Sequence, residues 1–305
     1  MKKYICGVDI GGTSIKIAQF DLERKLIQKW DITTDTNSNG KYILSDIINS
    51  IKSKMRLEEI KGIGIGVPGP VKDNVVLYCV NLGWENVDVT KEFEELGVKD
   101  IEIKVDNDAN VAGLGETLYG EAKGLKNTVL VTLGTGVGGA IIINGEIYSG
   151  FNGAAGEIGH IIVQKKNGIK CNCGKKGCLE TVASATGIVN VANSLLKKRK
   201  DSELKKYKII SAKKIIDEAR NSDPVALEVM KIVTDYLGQL CAIITQILNP
   251  EAIIFGGGVS NAGDFLIDMI KTQYNKYSNV KVKILQASLG NEAGTYGAQA
   301  LIKWK

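Results

Sequence analysis

At 305 residues the chain is long enough to bury a substantial core and to form two domains rather than one. Hydrophobic residues make up 44% and charged residues 24%, a balance that excludes a disordered or fibrous chain. The formal charge of +5 is scattered along the sequence, and its densest run, residues 197–200, reads as solvated surface, so nucleic-acid binding is not expected. The apolar run at residues 4–8 is too short for a signal peptide. The uncharged stretch 127–145 is broken by Gly134, Gly136, Gly138 and Gly139, which favours two strands around a turn over a membrane span. A cytoplasmic protein is expected.

In chain order, residues 4–8, 14–20 and 26–32 read as three strands joined by glycine-rich or charged turns. Helical spacing covers 43–54, and a buried strand covers 62–67, ending at Pro68. Residues 101–105 give another strand and 110–119 a helix behind a candidate cap. The opening pattern then returns: strand 128–133, glycine turn, strand 140–143 and the turn Asn144-Gly145. This weak repeat predicts two related α/β halves, the second starting near Gly120. Beyond a cysteine cluster the chain turns helical. The longest helix is expected over 225–248, and its last turns, 240–248, are apolar nearly all round, as suits the core or a subunit interface. A short strand at 253–255 and a final helix at 293–302 follow.

Glycine is abundant, 35 residues, and clusters where backbone must turn tightly or approach a ligand. Asp9-Ile10-Gly11-Gly12-Thr13 follows a strand and precedes another that contains Lys16. Such a turn can cradle phosphate oxygens with backbone N–H groups, while Asp9 orients a hydrated Mg²⁺ and Thr13 donates a hydrogen bond; it is equally the form of a plain tight hairpin. Leu133-Gly134-Thr135-Gly136-Val137-Gly138-Gly139 is a second turn of this kind. It fits G-x-G-x-x-G, but a strand follows where a dinucleotide fingerprint needs a helix. The match at residues 64–69 fails on Pro68, and no P-loop pattern occurs. Two glycine hairpins, one in each half, point to a nucleotide gripped between two domains.

Asn107-Asp108-Ala109-Asn110 stands where a strand gives way to a helix. Capping explains these residue types; so does a general base, Asp108, taking a hydroxyl proton as the oxygen attacks a phosphoryl group. Of the six cysteines, Cys6, Cys79 and Cys241 lie in apolar segments as small buried hydrophobes. The others join the chain's single histidine in H-x10-C-x-C-x4-C: His160, Cys171, Cys173 and Cys178. This Cys₃His set is a closed tetrahedral shell for a structural Zn²⁺, with Gly174 and Gly177 letting the loop fold back.

Together with Gly156-Glu157-Ile158-Gly159-His160 and the cysteine-rich run that ends at Glu180, these motifs resemble, in order and over nearly the whole chain, the ROK family of repressors, open reading frames and sugar kinases. The resemblance implies a two-lobed actin/hexokinase-like (ribonuclease-H-like) α/β ATPase fold with its active site in the cleft. The smaller lobe would be 1–118, joined by a C-terminal helix 293–305, and the larger 119–292. It implies ATP as donor, Mg²⁺ as cofactor and a hexose as acceptor, in a homodimer or higher homo-oligomer. By the same resemblance Asp108 is the base, and Asn107, Glu157, His160 and Glu180 bond sugar hydroxyls. His160 also binds zinc through its other nitrogen, and Gly69 lines the sugar with backbone. The turns at Gly11, Gly12 and Thr13 and at Gly134, Thr135 and Gly136 meet the phosphates, and Gly256-Gly257-Gly258 lies near the adenosine. Repressor members carry a DNA-binding domain ahead of the first glycine turn. Asp9 stands too near the start for one, so an enzyme is expected. Residues 178–184 and Asn81-Leu82-Gly83-Trp84 are most similar to the glucokinase members, which makes glucose the expected sugar and leaves N-acetylmannosamine and fructose as alternatives.

Overall fold

Three β-rich runs separated by turns too short for a helix fold as an antiparallel meander: β1 (Tyr4–Ile10), β2 (Ser14–Asp21) and β3 (Leu26–Thr33). A computed structural model describes residues 1–303; the end of the helix expected over 293–305 lies outside them. β4 (Ile60–Val67) runs parallel to β1. A small antiparallel sheet follows, made of β5 (Val71–Lys72), β6 (Val75–Cys79) and β7 (Trp84–Asp88). Its first turn, Asp73-Asn74, has φ of 52° and 64°, the two positive values of a type I′ hairpin. β8 (Glu102–Asn107) lies parallel to β4 and completes a sheet of order β3-β2-β1-β4-β8.

A second five-stranded sheet holds β9 (Thr128–Leu133), β10 (Val137–Ile143), β11 (Glu146–Ile147), β12 (Ala252–Gly256) and β13 (Lys283–Gln286) in the order β11-β10-β9-β12-β13. Asn144-Gly145 makes the turn between β10 and β11, again with positive φ at both residues. The chain divides into two compact units. One comprises residues 1–124, 140–155 and the residues from Asn291 on; the other comprises 125–139 and 156–290. Among the described residues no helix is long and apolar enough to cross a membrane.

Helix boundaries follow from caps. The helix expected from residue 110 begins earlier (Asp108–Tyr119), because Asn107 supplies the cap. Pro224–Leu248 starts one residue before its apolar pattern, with Asp223 capping and proline in the first turn. At its end Leu240, Cys241 and Ile244 are in the core, while Ile243 and Ile247 face outward. The strand expected from residue 140 starts at Val137, so two glycines of the turn motif belong to the ladder. The last helix, Ala293–Ala300, stops short of residue 302. Cys6, Cys79 and Cys241 are buried, as their apolar surroundings require.

In the first unit, helix Ile43–Lys54 covers one face of the sheet, with Ile43, Ile47, Ile48 and Ile51 against Val8, Ile17, Ile63 and Ile65. Ala293–Ala300 packs on the opposite face, and glycine lets it come close. Gly7 and Gly64 are register partners on β1 and β4. A Cβ on Gly7 would stand 2.1 Å from Thr295 O, and one on Gly64 1.7 Å from Ala298 O. Both partners are backbone, which cannot swing aside. Gly64→Ala should therefore cost about 3 kcal/mol or more, beyond ordinary overpacking. A denaturant melt showing less than about 1 kcal/mol lost would mean that the helix shifts freely on the sheet.

Candidate active site

In the first unit the motif residues meet because β1, β4 and β8 are parallel neighbours and deliver their carboxyl ends to one edge, where open α/β sheets bind ligands. Asp9 pairs with Gly66, Gly66 with Asp106, and Val67 with Asn107. Gly66 separates two acidic residues: a Cβ there would lie 3.7 Å from Asp9 Oδ1 and 3.7 Å from the Cα of Asp108. Past β1, the Gly11 N–H donates to Ser14 O (3.0 Å) and the Thr34 hydroxyl donates to Gly11 O (2.6 Å), which fixes a tight turn. Gly12 and Thr13 are exposed at its tip. Lys16 stands opposite Asp9 on β2, its Nζ 3.7 Å from Asp9 Oδ2.

The Asn107–Asn110 tetrad divides between a cap and a helix start. Asn107 is the cap: its Oδ1 accepts from the N–H groups of Ala109 (2.9 Å) and Asn110 (3.3 Å), and its Nδ2 donates to Gly69 O at 3.0 Å. Asp108 is then the first helical residue, and its Oδ1 accepts from the Ala109 N–H at 2.8 Å. Burial pushes the Asp108 carboxyl up to about 6; the Ala109 N–H pulls it back, and the Asp9 charge pushes it further up. Asp9 is itself raised by burial, against the pull of Lys16. A carboxylate titrating just below neutral pH is matched to accepting a hydroxyl proton.

Asp106 lies outside the motifs. Its Oδ1 accepts from the Asn107 N–H (2.7 Å) and from Asn110 Nδ2 (2.8 Å), which locks the cap and the start of the helix together. Burial raises its carboxyl as well. An acid at a strand end, directly before a capping asparagine, was the available signal.

In the second unit β9 and β12 are parallel with Gly256 opposite Thr132, so both of that unit's glycine turns leave one edge of the sheet. Gly257 has φ of 84°, and a Cβ on it would stand 2.6 Å from Leu133 O. The two turns thus pack backbone to backbone. The Gly134 N–H donates to Gly136 O (2.9 Å) and leaves Thr135 exposed at the tip.

His160, Cys171, Cys173 and Cys178 also converge in this unit, with all four ligand atoms within 4.8 Å of one another. Cys173 Sγ lies 3.6 Å from Cys178 Sγ, and His160 Nδ1 lies 3.6 Å from Cys171 Sγ. Zn–S bonds of about 2.3 Å put tetrahedral edges at about 3.8 Å, so the donor set fits a tetrahedral metal. Three thiolates and an imidazole suit zinc. Gly174 and Gly177, with φ of 87° and 80°, fold the loop back as their spacing predicts. The other imidazole nitrogen, Nε2, faces Glu157 Oε2 at 3.7 Å, and the Glu157 carboxylate is mostly exposed. Glu180 is more committed than a sugar ligand need be: its Oε2 accepts from the Val137 N–H at 3.0 Å, and its Oε1 lies 3.7 Å from Cys171 Sγ.

The sequence profile of the ROK family matches residues 5–305. The chain belongs to the ROK family. A glucokinase of Halalkalibacterium halodurans is 40% identical to it over 99% of this chain and 95% of its own. A xylose repressor of Bacillus subtilis is 29% identical over 98% of this chain and 77% of its own. The solved structure of a ROK family glucokinase from Streptomyces griseus in complex with glucose and AMPPNP is 30% identical, with a TM-score of 0.78 over 98% of both chains. The actin/hexokinase-like α/β fold that the motifs imply is thus the fold of this ROK protein.

Proposed function

We propose that this ROK protein is an ATP-dependent hexose kinase whose substrate is glucose, giving ADP and glucose 6-phosphate. The observation that carries the reading is the Asp108 carboxylate, set by Asn107 at the end of β8 and raised to about 6. The glucokinase relatives support the sugar. In this mechanism Asp108 takes the proton of the sugar's primary hydroxyl as that oxygen bonds to the γ-phosphorus and the bond to the departing ADP oxygen breaks. Asn107, the backbone at Gly69, Glu157, His160 and Glu180 hold the ring hydroxyls. The glycine turns offer backbone to the phosphates, and Gly256-Gly257-Gly258 borders the adenosine. Mg²⁺, when bound with ATP, neutralises phosphate charge; Asp9 is the residue to hold it, with Lys16 alongside.

The Cys₃His set holds a structural zinc with no open position. The outward-facing Ile243 and Ile247, one helical turn apart, suit a contact between copies of the chain in a homo-oligomer. The cytoplasm, with its ATP and reducing conditions, suits both the donor and the free thiolates.

ADP release measured across hexoses and N-acetyl hexosamines tests the substrate. Glucose should give the highest kcat/KM, with N-acetyl sugars lower by about tenfold or more, because an N-acetyl group adds bulk and leaves a buried partner of the 2-hydroxyl unpaired. N-acetylmannosamine outperforming glucose would keep the chemistry and replace the sugar. Phosphorylation of 6-deoxyglucose would take Asp108 away from its partner oxygen.

A further inference from the structure

The turn Gly134-Thr135-Gly136 does not stand alone: the segment that carries the metal ligands holds it at both ends. Glu180, two residues beyond Cys178, accepts the Val137 N–H at 3.0 Å, and its carboxylate fills the space under Gly136, where a Cβ would lie 2.4 Å from Oε2. At the other end the Ala185 N–H donates to Gly134 O at 2.8 Å. Gly159, directly before His160, presses on the same residue from the far side, and a Cβ on it would stand 2.1 Å from Val137 O. The other Glu180 oxygen faces Cys171 Sγ, and the Leu179 N–H donates to Ile161 O at 2.9 Å, tying the two ligand-bearing stretches to each other. The start of β10 is therefore clamped between the stretch around His160 and the stretch that runs from Cys178 to Ala185.

We propose that Glu180 is a positioning residue for the nucleotide, and that metal occupancy of the Cys₃His set governs nucleotide affinity through it. The proposal rests on reading the turn as a phosphate grip and the cluster as a zinc site. A bound metal fixes His160, Cys171 and Cys178 relative to one another. That holds the Glu180 carboxylate beneath the turn, with the turn already shaped for its ligand. Without the metal the loop relaxes, the Val137 N–H loses its acceptor for part of the time, and nucleotide binding must order the turn at its own expense. Sugar contacts of His160 or Glu180 do not enter, because the coupling is defined with no sugar present.

Calorimetric titration of AMPPNP with Mg²⁺ into sugar-free protein tests it, with amide exchange at Val137 read in parallel. Stripping zinc from the wild-type protein should weaken AMPPNP by about tenfold and speed exchange at Val137, while exchange in β1 and β4 stays unchanged as a check on folding. Glu180→Ala should do the same with zinc still bound, and Glu180→Gln, which keeps an oxygen for the Val137 N–H, should restore affinity to within about threefold of wild type. Unchanged AMPPNP affinity in both the stripped protein and Glu180→Ala overturns the coupling. Gly136→Val separates the underlying reading: if it too leaves affinity unchanged the turn is not a phosphate grip, and if the purified protein holds no metal the cluster is not a zinc site. Either result overturns the proposal on different ground from a failed coupling.

Discussion

Asp108→Asn should lower kcat by about 10²–10⁴-fold while glucose binds within a few-fold of wild type. The amide keeps the size of the side chain and an oxygen for the Ala109 N–H that Asp108 now engages at 2.8 Å, so the helix start survives and only the proton acceptor is lost. The same carboxylate sets a pH dependence. A raised carboxyl is protonated, and useless as a base, below its pKa, so kcat/KM should fall on the acid side with an apparent pKa of about 6 and be level just above it. Asp9 contributes to that rise, so Asp9→Asn should move the acid limb to lower pH in whatever activity remains. Loss of less than about tenfold in kcat for Asp108→Asn would show that another group takes the proton.

Cys173→Ser should reduce zinc from one ion per chain to almost none, measured by native mass spectrometry. Cys173 is the exposed member of the four donors, so the serine meets no steric obstacle and the effect reports on ligation. Structural zinc sites in small peptides contribute about 10–16 kcal/mol of apparent binding energy. The second unit here also has a hydrophobic core, so the metal-free chain should stay largely folded with Tm lower by about 10 °C, the shift expected for a few kcal/mol at this size. The glucose KM should rise too, because His160 points Nδ1 at Cys171 and Nε2 toward Glu157, and a ring released from the metal no longer presents Nε2 in a fixed direction. A metal-free wild-type protein with full activity would end the zinc assignment.

Much of this was legible in the residues because the chemistry-bearing groups are local motifs. The glycine turns and the Asn107-Asp108 step each fit within seven residues and the spacing of His160 with the cysteines within nineteen, and within each unit parallel strands bring the turns to one edge of the sheet. The small sheet from Val71 to Asp88 escaped, although Asp73-Asn74 is a fair hairpin signal, because β5 is only two residues long and shows no alternation. The motif of Glu180 marks it as a sugar ligand, yet its bond to Val137 spans 43 residues of sequence, and nothing local announces it. The fit of Ala293–Ala300 against Gly7 and Gly64 is non-local in the same way. Glycines in a strand read as weak points until the helix that needs them is in place.

That last fit also orders events during synthesis. The sheet of the first unit is assembled from residues that leave the ribosome early, but one of its faces, covered at Gly66 by the helix Asp108–Tyr119, is completed over Gly7 and Gly64 only by Ala293–Ala300. At 5–20 residues per second the intervening chain takes roughly 10–40 s to emerge. For that interval the part of the face around Gly7 and Gly64 stays open to water, chaperones or a neighbouring nascent chain. The first unit begins before the second and is finished after it, so any ribosome that stalls late leaves behind a complete second unit attached to a sheet with one face half covered.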